Sequence, residues 1–481
     1  MKKLICMLLA LMLVLSLCAC GGEEKTGATG EGDKAAQTAG QLRVGYGKAD
    51  VTPQSPVPMG GYGRSSARIS QGFLSYLYVT CIAVTDADDN TLLLFGMDLC
   101  SPGEAYINYA ADVASATGVP VDNIVMSASH THSAPDYGAG DVAGVGEALQ
   151  VLKQGLLKAA KAAMEDRAPA QMAVAQVETQ GMNFVRHYLM NDGTYCGANF
   201  GSAESGYKKH VKEADPILQL VKFTREGGKD IIFTNFQTHP HQTGGSDKFE
   251  LSADVVGEYR MNMEKDLDVN VIYFSGAGGN INSSSRIAEK NATKDFRAWG
   301  KKMAEYAQSA QYTPVSGGKV QATKYHFEGK INHEWDAQAS VCRELRTKWD
   351  QGLLTTQQLI EEAAALGLKL NSPYHAGAIA SRAALPRTQS FEIWAYSFGD
   401  IGFVAAPYEM FDTNGQFIKE NSPFAMTVIA TLSNRANGYF PSNETYAYGG
   451  YEVDTTKYAQ GTAEELADQF ISMLSSMYET K

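Results

Sequence analysis

The stretch Asn123-Ile-Val-Met-Ser-Ala-Ser-His-Thr-His-Ser-Ala-Pro135 reads as a buried strand that ends in two imidazoles. Asn123 to Met126 is an apolar run, and His130 and His132 follow where it stops. Residues two apart on an extended chain point to the same face, and strand ends are where α/β folds build their sites. The chain has 9 histidines, and a second close pair stands at Thr238-His-Pro-His-Gln242. Neutral imidazole is a common metal ligand, and catalytic zinc takes about three protein ligands while leaving a position for water. Two pairs therefore point to a metal site with a hydrolytic water, its remaining ligands being carboxylates or other oxygen donors further along. A His-x-His pair also occurs as two satisfied polar groups in a loop, and spacing alone leaves both readings open.

Outward from this stretch the pattern is mixed. Gln41–Gly47, Leu77–Thr85 and Thr91–Met97 read as strands, the last two joined as a hairpin by Asp86–Asn90. Helical spacing predicts Ala105–Thr117, Gly146–Ala168, Asp254–Lys265, a charged stretch Trp335–Leu366, and a closing helix Thr462–Met477. Further strands are expected at Met172–Glu178, Ile217–Thr224, Lys229–Phe236, Asn270–Phe274 and Gly317–Gly329, with a second hairpin of Phe391–Ser397 and Asp400–Ala406. Hairpins alternating with strand-helix units predict an α/β (mixed α+β) fold, its mixed parallel and antiparallel sheet core flanked by helices in a single large domain, residues 41–481. Four strands end at polar clusters: His130/His132, His239/His241, Gly276–Asn282 and Pro407-Tyr-Glu409.

The N-terminus reads as a targeting segment. Met1-Lys-Lys3 is basic, and Leu4–Leu17 is apolar but short for a membrane span. Leu17-Cys-Ala-Cys20-Gly-Gly22 resembles a bacterial lipoprotein box, which implies a signal peptide of residues 1–19, lipidation of Cys20, a flexible tether over 20–40, and an extracytoplasmic chain that meets the membrane through this anchor. The formal net charge of −12 argues against nucleic acid as a partner. Cys81, Cys100, Cys196 and Cys342 lie far apart, with no metal-knuckle spacing, and Cys81 and Cys100 read as buried free thiols.

Several segments together resemble the N-terminal catalytic domain of the neutral, non-lysosomal ceramidases. They are Gly45–Pro53, Met59-Gly-Gly-Tyr-Gly63, His130-Thr-His-Ser-Ala-Pro135, His239-Pro240, the Gly276–Asn282 loop, Pro407-Tyr-Glu409 and Asn434–Tyr451, in the family's order. The resemblance covers most of the chain after the tether and implies a zinc amidase acting on ceramide or another N-acyl compound. It makes His130, His239, Glu409 and Tyr439 the Zn2+ ligands. His132 becomes a proton-handling or oxyanion-stabilising neighbour, and Tyr451 a contact to the scissile carbonyl. Arg186 becomes a substrate contact or a structural salt bridge, and Asp98 and Asp254 either orient ligating histidines or cap nearby elements. His241 reads as a loop residue.

Two departures from the family are visible. No C-terminal β-sandwich is expected after Thr462–Met477, and Asn282 stands where the family has a serine. With no Ser/His/Asp order evident, a metal-activated water is preferred to a serine nucleophile. A lipid substrate predicts an apolar pocket, and a sugar or peptide a polar one. The alternative of another class is a surface lipoprotein that binds a ligand without turning it over.

Overall fold

The computed structural model describes residues 41–62, 68–197, 206–245 and 248–481. Cys20, the signal and tether segments, and Gly63 of the Met59–Gly63 motif lie outside the described residues. Two stacked sheets form the core. The larger contains β1 (Leu42–Asp50), β2 (Tyr78–Thr85), β3 (Thr91–Met97), β4 (Ile124–Ala128), β5 (Ala168–Glu178), β6 (Ile217–Arg225), β7 (Ile231–Phe236) and β8 (Asn270–Ser275). Their spatial order is β8-β7-β6-β5-β1-β2-β3-β4, with a short strand Thr313–Val315 added against β5. Only the end pairs, β3–β4 and β7–β8, are parallel. The smaller sheet runs β9 (Val320–Lys330), β10 (Thr388–Phe398), β11 (Ile401–Ala405) and β12 (Met426–Ala430).

Alternation along the strands decides which face meets which layer. Val44, Ile82, Val84, Phe233 and Phe274 face Trp394, Tyr396, Phe403 and Val428 of the small sheet. On the large sheet's other face, Cys81, Phe95 and Met126 pack under α1 (Gly103–Thr117) and α2 (Val145–Glu165). Leu220, Phe236 and Tyr273 pack under α3 (Asp254–Leu267) and α4 (Phe296–Gln308). Between β9 and β10 the chain leaves the sheet for α5 (Ala339–Asp350), α6 (Thr356–Ala365) and α7 (Pro373–Arg382), which bury a core of their own around Cys342, Leu345, Leu359 and Ile379. The outer face of the small sheet is covered by α8 (Asp412–Asn421) and α9 (Thr462–Glu479). The layers are thus helix, sheet, sheet, helix. The expected mixed α/β core is present, but as two sheets.

Both expected hairpins form. Asp86 organises the first by accepting the backbone N–H groups of Asp88 and Asn90, each at 2.9 Å, and Gly399 turns the second at φ 60°. The expected continuous helix over Trp335–Leu366 is broken in two. Gly352, at φ 73°, ends the first half, and a capping box of Thr355 and Gln358 starts the second. The helix expected over Gly146–Ala168 stops at Glu165, because Ala168 already belongs to β5.

The large sheet curls until its edges approach each other. The Tyr46 hydroxyl on β1 donates to the Val271 carbonyl of β8 at 3.2 Å, and a Cβ on Gly96 of β3 would lie 2.7 Å from the Tyr273 carbonyl. Residues 431–434, running on from β12, close the remaining gap. Asn434 N–H donates to Met126 at 2.8 Å, Ala128 N–H donates to Leu432 at 3.1 Å, and Thr431 N–H donates to Ser275 at 3.0 Å. The ends of β4, β8 and β12 are therefore tied to one another.

Helix α2 lies directly on β1. A Cβ on Gly47 would sit 2.0 Å from the Ala159 carbonyl oxygen. Gly47→Ala is expected to lower stability by about 3 kcal/mol through overpacking, read as a lower urea midpoint; an unchanged midpoint contradicts this packing.

Candidate active site

His130 follows β4 and His239 follows β7, while Glu409 and Tyr439 stand opposite each other on two paired two-residue strands, Glu409–Met410 and Tyr439–Phe440. Partners in register put their side chains on one face. The Ser275 hydroxyl at the end of β8 donates to the Ser129 carbonyl at 2.8 Å, and His132 N–H donates to the Pro240 carbonyl at 3.0 Å. These bonds draw the two histidine loops together. His130 adopts φ 67°, and Leu432 and Asn434, in the segment bonded to β4, also have positive φ. Such conformations cost about 1–3 kcal/mol each and are characteristic of sites held by their surroundings.

The ligand atoms of His130, His239 and Glu409 all lie within 4.8 Å of one another. His130 Nε2 is 3.4 Å from Glu409 Oε2, and that buried oxygen has no hydrogen-bond partner among the described residues. His130 Nδ1 lies 2.7 Å from the Cys100 carbonyl, so it donates there and turns the Nε2 lone pair toward the centre. His239 Nδ1 faces the Gly278 carbonyl at 3.4 Å, and the tautomer that donates to it frees its own Nε2 likewise. His132 Nε2 stands 3.3 Å from His130 Nε2 and 3.0 Å from His239 Nε2.

The electrostatics converge on the same point. Burial opposes a charge on His130, but Glu409 and Cys100 outweigh it and hold its pKa well above the ordinary value. Burial and the neighbouring His130 push His132 and His239 well below that value. Positive charge is wanted at one place, between His130 and Glu409. Two imidazoles and a carboxylate with an orphaned oxygen, each nitrogen aimed by a backbone carbonyl, are a donor set that fits zinc.

Arg186 is buried beneath this cluster. Its Nε donates to Glu452 Oε1 at 2.6 Å, its Nη2 donates to the Tyr439 hydroxyl at 3.2 Å, and its Nη1 is 3.3 Å from His239 Nδ1. Glu452 also meets His187 Nε2 at 3.0 Å. Against the cost of burial, Arg186 and His187 hold the Glu452 carboxyl down at about 2. Tyr451, one residue before, lines a cavity of about 780 Å³ together with Tyr439. Burial, then Glu409 and Glu452, raise the Tyr451 hydroxyl to about 12.

Several expectations change here. Asp98 and Asp254 touch no ligating histidine: Asp98 forms a two-point ion pair with Arg260 (3.1 and 2.6 Å), and Asp254 accepts from Thr243 N–H at 2.6 Å. Backbone carbonyls of Cys100 and Gly278 take the orienting role. Cys100, expected to be buried, is partly exposed, with Sγ 3.9 Å from His130 Nδ1. His241 stands in the loop after β7, as read, with its ring centroid 6.0 Å from that of His132. Ser285 does pair with a histidine, His210, at 3.0 Å, but the other ring nitrogen bonds the Val185 carbonyl and no acid among the described residues completes a triad. Glu452 escaped the sequence reading because it lies 266 residues from Arg186, and nothing local marks it.

The same arrangement of elements is found in solved ceramidases. A structure described as a ceramidase complexed with C2 matches with TM-score 0.67 and 16% identity, over 92% of this chain and 76% of that one. The neutral ceramidase from Pseudomonas aeruginosa matches with TM-score 0.67 and 18% identity, over 92% and 75%. No protein-family model matches the chain. This chain has the neutral ceramidase fold.

Glu452 sets a pH dependence. Its folded pKa, about 2, lies below the ordinary 4.5, so its contribution is fully present above pH 4.5 and is lost as pH falls toward 2. Glu452→Gln should flatten the acid limb of stability in that window. At neutral pH it should cost about 3–5 kcal/mol, because Arg186 is left buried and unpaired. Chemical denaturation at pH 7 and pH 3 reads both, and an unaltered acid limb contradicts the network.

Proposed function

We propose that this chain is a zinc-dependent hydrolase of linear amides, related to the neutral ceramidases whose fold it shares. The observation that carries the reading is the convergence of His130, His239 and Glu409 from separate strand ends on one buried point, beside a cavity walled by Tyr439 and Tyr451. Ceramide, itself an N-acyl amide, is the first substrate to test. On the strength of the Leu17–Gly22 box, we also place the chain outside the cytoplasm, anchored through Cys20.

His130, His239 and Glu409 would hold the zinc, with Tyr439 as the further oxygen ligand. Zinc there supplies Lewis acidity toward a carbonyl oxygen and lowers the pKa of water to about 7. His132 has a ring nitrogen against both ligating imidazoles, where a side chain can take a proton from the attacking water and pass it to the leaving amine. Tyr451, its pKa raised, stays protonated at neutral pH and donates to the developing oxyanion. Arg186 serves by position: held by Glu452, it fixes the Tyr439 hydroxyl.

The chain from residue 21 onward is expected to hold about one zinc and to release fatty acid from an N-acyl amide panel that includes ceramide. His130→Ala should lose the metal and the turnover together. Tyr451→Phe should keep the zinc and lose about 10²–10³ in kcat. A His130→Ala protein that keeps both metal and turnover overturns the assignment, as does a zinc-loaded chain that cleaves no amide in the panel.

A further inference from the structure

The cavity beside Tyr439 and Tyr451 is also lined by α5 and α7, which bring Arg343, Arg346 and Arg382 to it. Arg382, at the end of α7, is only 2% exposed. Its Nη2 donates to the Glu334 carbonyl at 3.2 Å, and its Nε has no hydrogen-bond partner. Glu334 and Asp336 act on it as negative charges, but no carboxylate among the described residues forms an ion pair with it. Lys457 lies on the same cavity, half-buried, with Nζ 5.1 Å from the centre of the Tyr458 ring and no carboxylate partner among the described residues. Arg343 adds a third cation, bonded through Nη2 to the Ala380 carbonyl at 3.1 Å. Arg346 brings its own partner, Asp350, at 3.1 Å.

A buried guanidinium without a counter-ion is costly. A favourable position at a helix C-terminus offsets part of that cost for Arg382. It does not account for Lys457 and Arg343 around the same space, in a chain whose net charge is −12. Guanidinium and ammonium groups converging on one cavity are the chemistry that receives a carboxylate, sulfonate or phosphate.

Resting on the amidase reading, we propose that the substrate carries an anionic group near its scissile amide, as N-acyl amino acids do, and that Arg382, Lys457 and Arg343 receive that group. Tyr439 and Tyr451 line this pocket and both feel the charge of Glu409, which puts the pocket beside the metal centre and lets one molecule place its amide at the histidines and its charge against α7. The cavity wall is then a specificity determinant, selecting acidic amides over neutral ones of equal length.

Binding to the zinc-loaded chain tests this without turnover. The probes are 4-oxoundecanoate, a ketone analogue of N-octanoylglycine, and its neutral partner 4-oxoundecanamide, compared by calorimetry. The acid is expected to bind at least about tenfold more tightly, and Arg343→Gln/Lys457→Gln should bring the ratio to within about twofold. Arg382→Gln should do the same, and the less buried pair still gives the answer if that buried variant fails to fold. Equal binding of the two probes overturns the proposal, as does a preference that survives in the double variant, since the carboxylate would then be held at the histidines. Hydrolysis of N-octanoylglycine is scored separately: a binding preference without cleavage leaves the pocket standing and removes the amidase reading.

Discussion

The site depends on the joining of strand ends that are far apart in sheet order. β4 and β8 are the two edges of the large sheet, and they meet because the sheet curls and residues 431–434 bond to both. The hydrogen bond from Ser275 to the Ser129 carbonyl then fixes the loop that carries His130 against the strand beside His239. An exposed sheet edge is a row of unpaired backbone groups; here that row is consumed in building a pocket. The positive φ of His130 follows from this, since its N–H is held by the Leu99 carbonyl while its ring nitrogen is held by Cys100.

Charge is organised in two shells. The inner one, three imidazoles and Glu409, asks for a cation. The outer one, Arg186 between Glu452, Tyr439 and His239, is a buried cation already satisfied by its carboxylate. Keeping these apart matters: Glu452 neutralises Arg186, which leaves Glu409 to the metal. Beyond the tyrosines, Arg382 on the wall of α5 and α7 has no carboxylate ion-pair partner among the described residues, so the cavity carries cations where a purely apolar lipid pocket was one of the two sequence expectations.

Much of this was legible in the sequence. The strand leading to His130, the second pair at His239, both hairpins, and the parallel strands feeding the site are visible as apolar runs ending in polar clusters. The two-sheet layering was not, because β12, Met426–Ala430, is a short buried run that periodicity cannot separate from a helix segment. Helix α4 was missed although its signals are present: Asp295 caps it, and Phe296, Trp299, Gly300, Met303, Ala304 and Ala307 recur at helical spacing on its buried face. At the site, the roles left open in the sequence belong to side chains that act through neighbours. Asp98 and Asp254 flank the site segments but turn to Arg260 and Thr243, while the groups that orient the ligating rings are backbone carbonyls, which no residue type announces.

A zinc-edge anomalous difference map from crystals of the chain grown without chelator would test the central claim most directly. The account predicts one strong peak in contact with His130 Nε2, His239 Nε2 and Glu409. A map with no peak there in zinc-supplemented crystals, or with its peak at the Cys100 thiol and away from Glu409, would contradict it.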